Sequence, residues 1–210
     1  MNWLAHFQHT YESRLTPRIS GAKRGLHEGI GLRYPGFRLA FELLLQQNKP
    51  WYNIVETGTL RNPGNWKDGQ SSVIFTDFVT AHGGTVRSVD IDAGACARAR
   101  GAIKDQRFKV TASDSVSYLR DLPNKQEVDM WYLDSYDVDW QDDTPSAQHH
   151  LNEWLAIQGH IKSGTVIVID DNARKLENNK RTGKGRMIIE ELERRNHTVL
   201  YDAYQIVFQA

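Results

Sequence analysis

The chain has 210 residues, 40% of them hydrophobic, which is enough for one globular domain with a sizeable core and too little for two full ones. Lysine plus arginine and aspartate plus glutamate both number 26, so the net charge is zero; a field that gathers nucleic acid or an anionic membrane non-specifically is excluded. Cys96 is the only cysteine, which excludes an internal disulfide framework and a cysteine-rich zinc site and fits a reducing, cytoplasmic setting. No apolar run has signal-peptide or bilayer-spanning length.

Residues 1–36 read as a cover segment: a short helix carrying Trp3, Phe7 and Tyr11, then a stretch broken by Thr16-Pro17, Gly21, Gly25, Gly29 and Gly31. Packing on the core is the expected role, with a flap over a substrate pocket as the alternative. From Phe37, the residues Ala40, Phe41, Leu44 and Leu45 fall at helical spacing until Asn48-Lys49-Pro50 stops them. Asn53 to Thr59 then reads as an apolar strand running into an acid and a glycine. Residues 60–70 are a polar loop, and Ser71 or Ser72 is placed to cap a helix with Ile74, Phe75, Phe78 and Val79 on one face.

The alternation continues. Thr85 to Asp92 reads as a strand, followed by a helix to about Ile103, a strand from Phe108 to Asp114, and a helix from Val116 that Pro123 stops. Val128 to Asp134 is the fourth strand. Thr144-Pro145 supplies an N-cap and first-turn proline for a helix to about Ile161, with a core face of Ala147, Leu151, Trp154 and Leu155. Thr165 to Ile169 is apolar beyond its threonine, as expected of a strand covered on both faces. A basic loop over 173–186 opens the last helix, and Val199 to Tyr201 can pair with Tyr204 to Phe208 as an antiparallel hairpin. These elements predict an α/β fold: a doubly wound, Rossmann-like sheet of seven strands, mostly parallel, with that hairpin at the C-terminus. Glu56, Asp90, Asp114, Asp134, Asp170 and Asp171 would then gather at one edge, where the strands' carboxyl ends lie.

On these residues the chain resembles the class I S-adenosylmethionine-dependent methyltransferases. Within them it is similar to metal-dependent O-methyltransferases of the catechol, cephalosporin-hydroxylase-like and macrolide-sugar types, over residues 37–210. The resemblance implies S-adenosylmethionine as cofactor. In Glu56-Thr57-Gly58-Thr59 it implies that the backbone at Gly58 and Thr59 passes the methionine part, with Glu56 orienting its amino group and Ser71 holding its carboxylate. Asp90 is implied to accept the ribose hydroxyls, with Asp92 as runner-up. Asp114 or Ser113 would accept from the adenine amine, and Asp134, Ser135 and Tyr136 would border the cofactor.

The resemblance also implies a divalent ion, Mg2+ or Ca2+, on Asp134, Asp170 and Asp171; a one-residue shift would select Asp171 and Asn172 as the pair. Two residues stand where relatives place a general base: Asp137, where the catechol type has lysine, and His149 at the start of the next helix. The expected partner is a small-molecule acceptor bearing a hydroxyl, with no membrane and no non-specific nucleic acid. Two other functions share parts of the pattern. A nicotinamide-dependent oxidoreductase lacks support because there is no Gly-x-Gly-x-x-Gly; a non-catalytic binding or scaffold protein of the same fold would have less use for the retained acids.

Overall fold

The computed structural model describes residues 2–17, 20–195 and 197–210. Seven helices and nine strands follow one another as α1 (Trp3–Leu15), α2 (Tyr34–Gln46), β1 (Tyr52–Thr57), α3 (Ser71–His82), β2 (Gly84–Asp90), α4 (Ala93–Ala102), β3 (Phe108–Ala112) and α5 (Ser115–Asp121), then β4 (Met130–Leu133), α6 (Thr144–Ile157), β5 (Val166–Ile169), β6 (Asn172–Arg174), β7 (Arg181–Gly183), α7 (Arg186–Arg194), β8 (Val199–Asp202) and β9 (Ile206–Gln209). The main sheet has the order β3-β2-β1-β4-β5-β9-β8. Strands β1 to β5 run parallel, and β9 lies antiparallel to both β5 and β8. This is the expected seven-stranded, doubly wound sheet with its terminal hairpin.

Alternation along β1 shows how the two faces are divided. Ile54 enters a buried cluster with Phe7 of α1, Phe37 and Phe41 of α2, Phe75 and Phe78 of α3, and Ala99 of α4. Its neighbour Val55 enters the opposite cluster, with Leu119 of α5, Trp154 of α6 and Ile188, Ile189 and Leu192 of α7. Successive residues of a strand point to opposite faces, so one strand anchors both layers. The order of strands reverses between β1 and β4, and in open α/β sheets the crevice for ligands opens at that point.

Helix α1 packs rather than hangs. Trp3, Phe7, Tyr11 and Leu15, four residues apart in turn, are all buried, and Phe7 stacks on Tyr34 at 5.4 Å. Tyr11 also donates to Asp77 of α3.

Four local expectations need correction. Helix α2 begins at Tyr34, because Pro35 serves in its first turn. Helix α6 begins at Thr144 with Asp143 in the cap position, and Asp143 spends its carboxylate on Thr182, Gly183 and Arg186 instead of capping. Leu155 is 48% exposed; the buried stripe of α6 runs through Ala147, His150, Glu153, Trp154 and Ile157. The basic stretch 173–186 is not a plain loop but holds the small hairpin β6–β7.

Candidate active site

A cavity of about 380 Å³ opens at the carboxyl ends of β1, β2 and β4. It is lined by Gly58 and Thr59 after β1, Gln70 and Ser71 at the start of α3, Asp90 at the end of β2, Asp114 and Ser115 after β3, and Asp134 to Asp137 after β4, with His149 of α6. Of the residues singled out in the sequence, Gly58, Thr59, Ser71, Asp90, Asp114, Asp134, Ser135, Tyr136, Asp137 and His149 are brought to this one space. Ser113, Glu56, Asp170 and Asp171 do not line it.

Gly58 is where the backbone comes closest. It has φ +80°, and a Cβ placed there would meet the carbonyl oxygen of Asp134 at 2.6 Å. A side chain is therefore refused both by conformation and by space, leaving bare backbone at the cavity wall.

Glu56 sits one layer below. Its carboxylate accepts from the hydroxyls of Ser71 and Ser72, the latter at 2.6 Å, and it is 1% exposed. Burial pushes its carboxyl up to about 7, against the opposing pull of the Ser71, Ser72 and Ser88 hydroxyls. The expected capping role of Ser71 or Ser72 is thus replaced: Gln70, in left-handed conformation, precedes the helix, and the serine hydroxyls turn inward to Glu56. What α3 presents to the cavity is its N-terminal backbone, where unpaired N–H groups and the helix dipole favour an anion.

Asp90 is held for presentation. Its Oδ2 accepts from the Thr59 N–H at 3.2 Å and its Oδ1 from the Asp92 N–H at 2.8 Å, which fixes the carboxylate plane and leaves lone pairs on both oxygens. Asp92 does something else: it caps α4 through the Gly94 N–H at 2.7 Å. Asp114 caps α5 through the Ser117 N–H at 2.8 Å, and this bond, against burial, lowers its pKa.

The wall formed by α6 carries a network that sequence periodicity did not reveal. Glu153 is fully buried and accepts from Thr57 at 3.1 Å and from Ser135 at 2.7 Å, joining the ends of β1 and β4. Burial would raise its carboxyl, but the neighbouring His150 and His149 rings and the Ser115 and Ser135 hydroxyls hold it below the ordinary value. His149 Nε2 lies 2.9 Å from Ser115 Oγ and 3.5 Å from Glu153 Oε1; Glu153 raises the imidazole pKa, with burial opposing. His150 is closed off, with Nδ1 at 2.7 Å from the Ser146 carbonyl, and burial drops its pKa to about 4. Asp137 is mostly exposed and bound to Arg61 at 2.8 Å.

Carboxylate oxygens of Asp134, Asp170 and Asp171 lie within 4.8 Å of one another. Asn172 does not join them: its amide donates to the carbonyls of Ile169 and Asp170, and its oxygen accepts from the Gly185 N–H. The cluster also contains two buried cations. Lys184 Nζ stands 2.6 Å from Asp134 and 2.8 Å from Asp171, and Arg33 reaches Asp170 at 2.6 Å and Asp171 at 3.2 Å. Burial pushes the lysine down, yet the Asp134 and Asp171 charges hold it above its ordinary value. Asp171, although buried, is lowered by Lys184 and Arg33, whereas Asp134 is raised by burial and by the charges of Asp170 and Asp171, with Lys184 opposing.

Counted as ionised, the three carboxylates face two cations, leaving a single negative charge to balance, less than the two that a divalent ion carries. One buried oxygen, Asp170 Oδ1, has no partner among the described residues. The donor types suit a hard cation, but the ammonium already stands between two of the three donors, so the set as arranged does not fit a divalent ion held by all three.

Arg33 and Lys184 were not singled out as site residues by the sequence. Lys184 reads there as one of several loop cations, and Arg33 lies in the glycine-broken stretch before α2; neither position carries a periodic or motif signal.

No family model and no curated protein matches the sequence. Solved structures match at low identity. One is the MycE methyltransferase from the mycinamycin biosynthetic pathway in complex with Mg, SAH and mycinamycin VI: 13% identity, TM-score 0.54, over 98% of this chain and 60% of that one. Another is the human methyltransferase 10 domain containing protein: 10% identity, TM-score 0.52, over 98% of this chain and 97% of that one. This chain therefore spans 60% of the length of the MycE chain. At such identities the likeness concerns the fold: a Rossmann-like methyltransferase fold, with the sheet order and terminal hairpin described above. Among the described residues no helix is long and apolar enough to cross a membrane.

Proposed function

We propose that the chain is an S-adenosylmethionine-dependent methyltransferase that methylates a hydroxyl of a small acceptor, in a cytoplasmic setting. The observation that carries the reading is the cavity at the strand-order reversal, where the bare backbone of Gly58, the N-terminus of α3 and the oriented Asp90 carboxylate face one space. Each suits a different part of the cofactor. Close backbone approach admits the methionine chain, the helix start favours its carboxylate, and a carboxylate with free lone pairs on both oxygens matches two adjacent ribose hydroxyls. Asp114, which lines the same cavity, takes the adenine amine. Glu56 has a supporting role, fixing Ser71 and Ser72 beneath the cofactor rather than touching it.

When bound, the cofactor supplies an electrophilic methyl group on a sulfonium. The protein's part is to place the acceptor oxygen and to take its proton. His149 is the better proton acceptor, since it lines the cavity and Glu153 orients the ring, the arrangement of a base with its orienting carboxylate. Asp137, committed to Arg61, is the less suited of the two. Magnesium or calcium dependence, the finer part of the resemblance, is not carried by the donor set as arranged, and no step here relies on it.

The reading is tested by titrating the protein with S-adenosylmethionine and S-adenosylhomocysteine in a calorimeter, then measuring methyl transfer to a panel of catechols, sugars and hydroxylated metabolites with magnesium and with chelator. Saturable binding of both cofactor forms is expected. Absence of binding at millimolar ligand would end it.

A further inference from the structure

We infer that the Lys184 ammonium takes the place of a divalent cation in the carboxylate cluster, so that Asp134, Asp170 and Asp171 form a site closed by the chain's own cations and independent of metal. This deepens the proposed methyltransferase reading at the same strand ends, but its test does not use methyl transfer.

Several features carry it. Lys184 is 1% exposed, and a lysine so deeply buried needs compensating charge, which Asp134 at 2.6 Å and Asp171 at 2.8 Å provide. Its backbone is fixed as well. The Lys184 N–H donates to the Asp171 carbonyl at 3.2 Å, and a Cβ on the preceding Gly183 would meet that carbonyl at 2.2 Å, so the β6–β7 hairpin presses the lysine against the end of β5. The following Gly185 donates to Asn172 at 2.7 Å. Asp171 itself holds φ +54°, an uncommon conformation for a non-glycine residue, which turns its carboxylate toward Lys184, Arg33 and Tyr204.

Arg33, the residue that precedes α2, completes the closure. Its guanidinium reaches Asp170 and Asp171 and lies 4.9 Å over the Tyr204 ring. A metal held by all three acids would have to displace a buried ammonium from two of them while a second cation stays beside the third. Both Coulomb repulsion and the loss of two charge-assisted hydrogen bonds oppose that.

The test is manganese binding by the full-length protein, followed through the electron paramagnetic resonance signal of free Mn2+, for the wild type and for Lys184→Met. The wild type should leave the signal of millimolar Mn2+ undiminished, whereas Lys184→Met, with the acids released, should take up one equivalent, and Asp170→Asn in that background should abolish the uptake. Uptake of one equivalent by the wild type, lost on Asp170→Asn, would overturn the inference. So would a folded Lys184→Met protein that binds no manganese, because the lysine would then not be standing where an ion could. If Lys184→Met does not fold, as judged by circular dichroism, the wild-type measurement alone decides. S-adenosylmethionine binding is titrated separately on the wild type; its failure would end the methyltransferase reading and leave the manganese result standing.

Discussion

Gly58 and Asp134, the residues that follow β1 and β4, approach so closely that a Cβ on the glycine would lie 2.6 Å from the aspartate's carbonyl oxygen. Two adjacent parallel strands are brought together just past their ends, and the cavity opens on that seam. Gly58→Ala must both hold alanine at φ +80° and push the Asp134 carbonyl aside, or else distort the seam. The expected cost is about 1–3 kcal/mol of stability. Cofactor affinity should fall by at least about tenfold, the equivalent of roughly 1.4 kcal/mol. Urea unfolding and calorimetric titration check the two parts, and unchanged affinity would move the cofactor backbone contact elsewhere.

Asp90 invites a subtler pair of changes. Its carboxylate orders Thr59 and Asp92 by backbone bonds as well as facing the cavity, so Asp90→Ala confounds two losses. Asp90→Asn keeps one acceptor oxygen for the backbone and removes the charge. Hydrogen bonds to a charged group contribute about 1.5–3 kcal/mol, so Asp90→Asn should weaken S-adenosylmethionine binding by roughly tenfold or more. Its melting temperature should fall less than that of Asp90→Ala, since one of the two backbone bonds, from Thr59 or Asp92, is kept and the other is lost. Equal affinity for the two proteins in a calorimetric titration would discard Asp90 as the ribose acceptor.

The sheet was legible because each strand carries its own period and each boundary its own turn chemistry. Thr165 to Ile169 declares a strand buried on both faces, and the acids Asp90 and Asp134 mark strand ends that the parallel topology then gathers. What was not legible depends on partners distant in sequence. Leu155 and Glu153 illustrate this on one helix: the apolar residue faces solvent, while the carboxylate is buried because Thr57 and Ser135 donate to it from two strand ends. No local pattern in residues 144–157 contains those donors. Arg33 is hidden for the same reason, since its counter-ions are 137 and 138 residues away. The three acids suggested a cation in their midst, and the structure supplies Lys184 and Arg33, whose roles a reading of carboxylates alone leaves out.

Glu56 gives a pH prediction. Its folded pKa of about 7 stands above the ordinary 4.5, so between these values the native state binds more protons than the unfolded chain. Stability from this group is therefore full below about pH 4.5, falls as the pH rises toward 7, and levels off above it. The 2.5-unit difference corresponds to a loss on the order of 3 kcal/mol. Glu56→Gln cannot ionise and should lack this component. Chemical unfolding of both proteins at pH 5, 6, 7 and 8 checks it: the stability of Glu56→Gln relative to the wild type should rise across the series, and a constant difference would mean that the buried carboxyl does not titrate in this range.

The cluster around Arg33 makes a prediction about asymmetry. Arg33 and Asp170 are both buried and meet at 2.6 Å, yet the two partners stand in different balances. Arg33→Met leaves three carboxylates facing Lys184 alone, with Asp170, which is 0% exposed, stripped of its cation. Breaking a buried pair in this way costs about 3–5 kcal/mol. Asp170→Asn instead removes the surplus negative charge, so that Lys184 and Arg33 face Asp134 and Asp171 in equal number, and Arg33 keeps its contact with Asp171 at 3.2 Å. That change should cost less, about 1.5–3 kcal/mol from the lost charged hydrogen bond. In the double variant Arg33→Met/Asp170→Asn, the uncompensated charge created by the first substitution is removed by the second, and part of the stability should return, by a coupling of at least about 1 kcal/mol. Urea unfolding of the four proteins at pH 7 measures all these terms. Equal costs for the two single variants, or strict additivity in the double, would show that the cluster is not short of positive charge and that Arg33 and Asp170 are stabilised independently of each other.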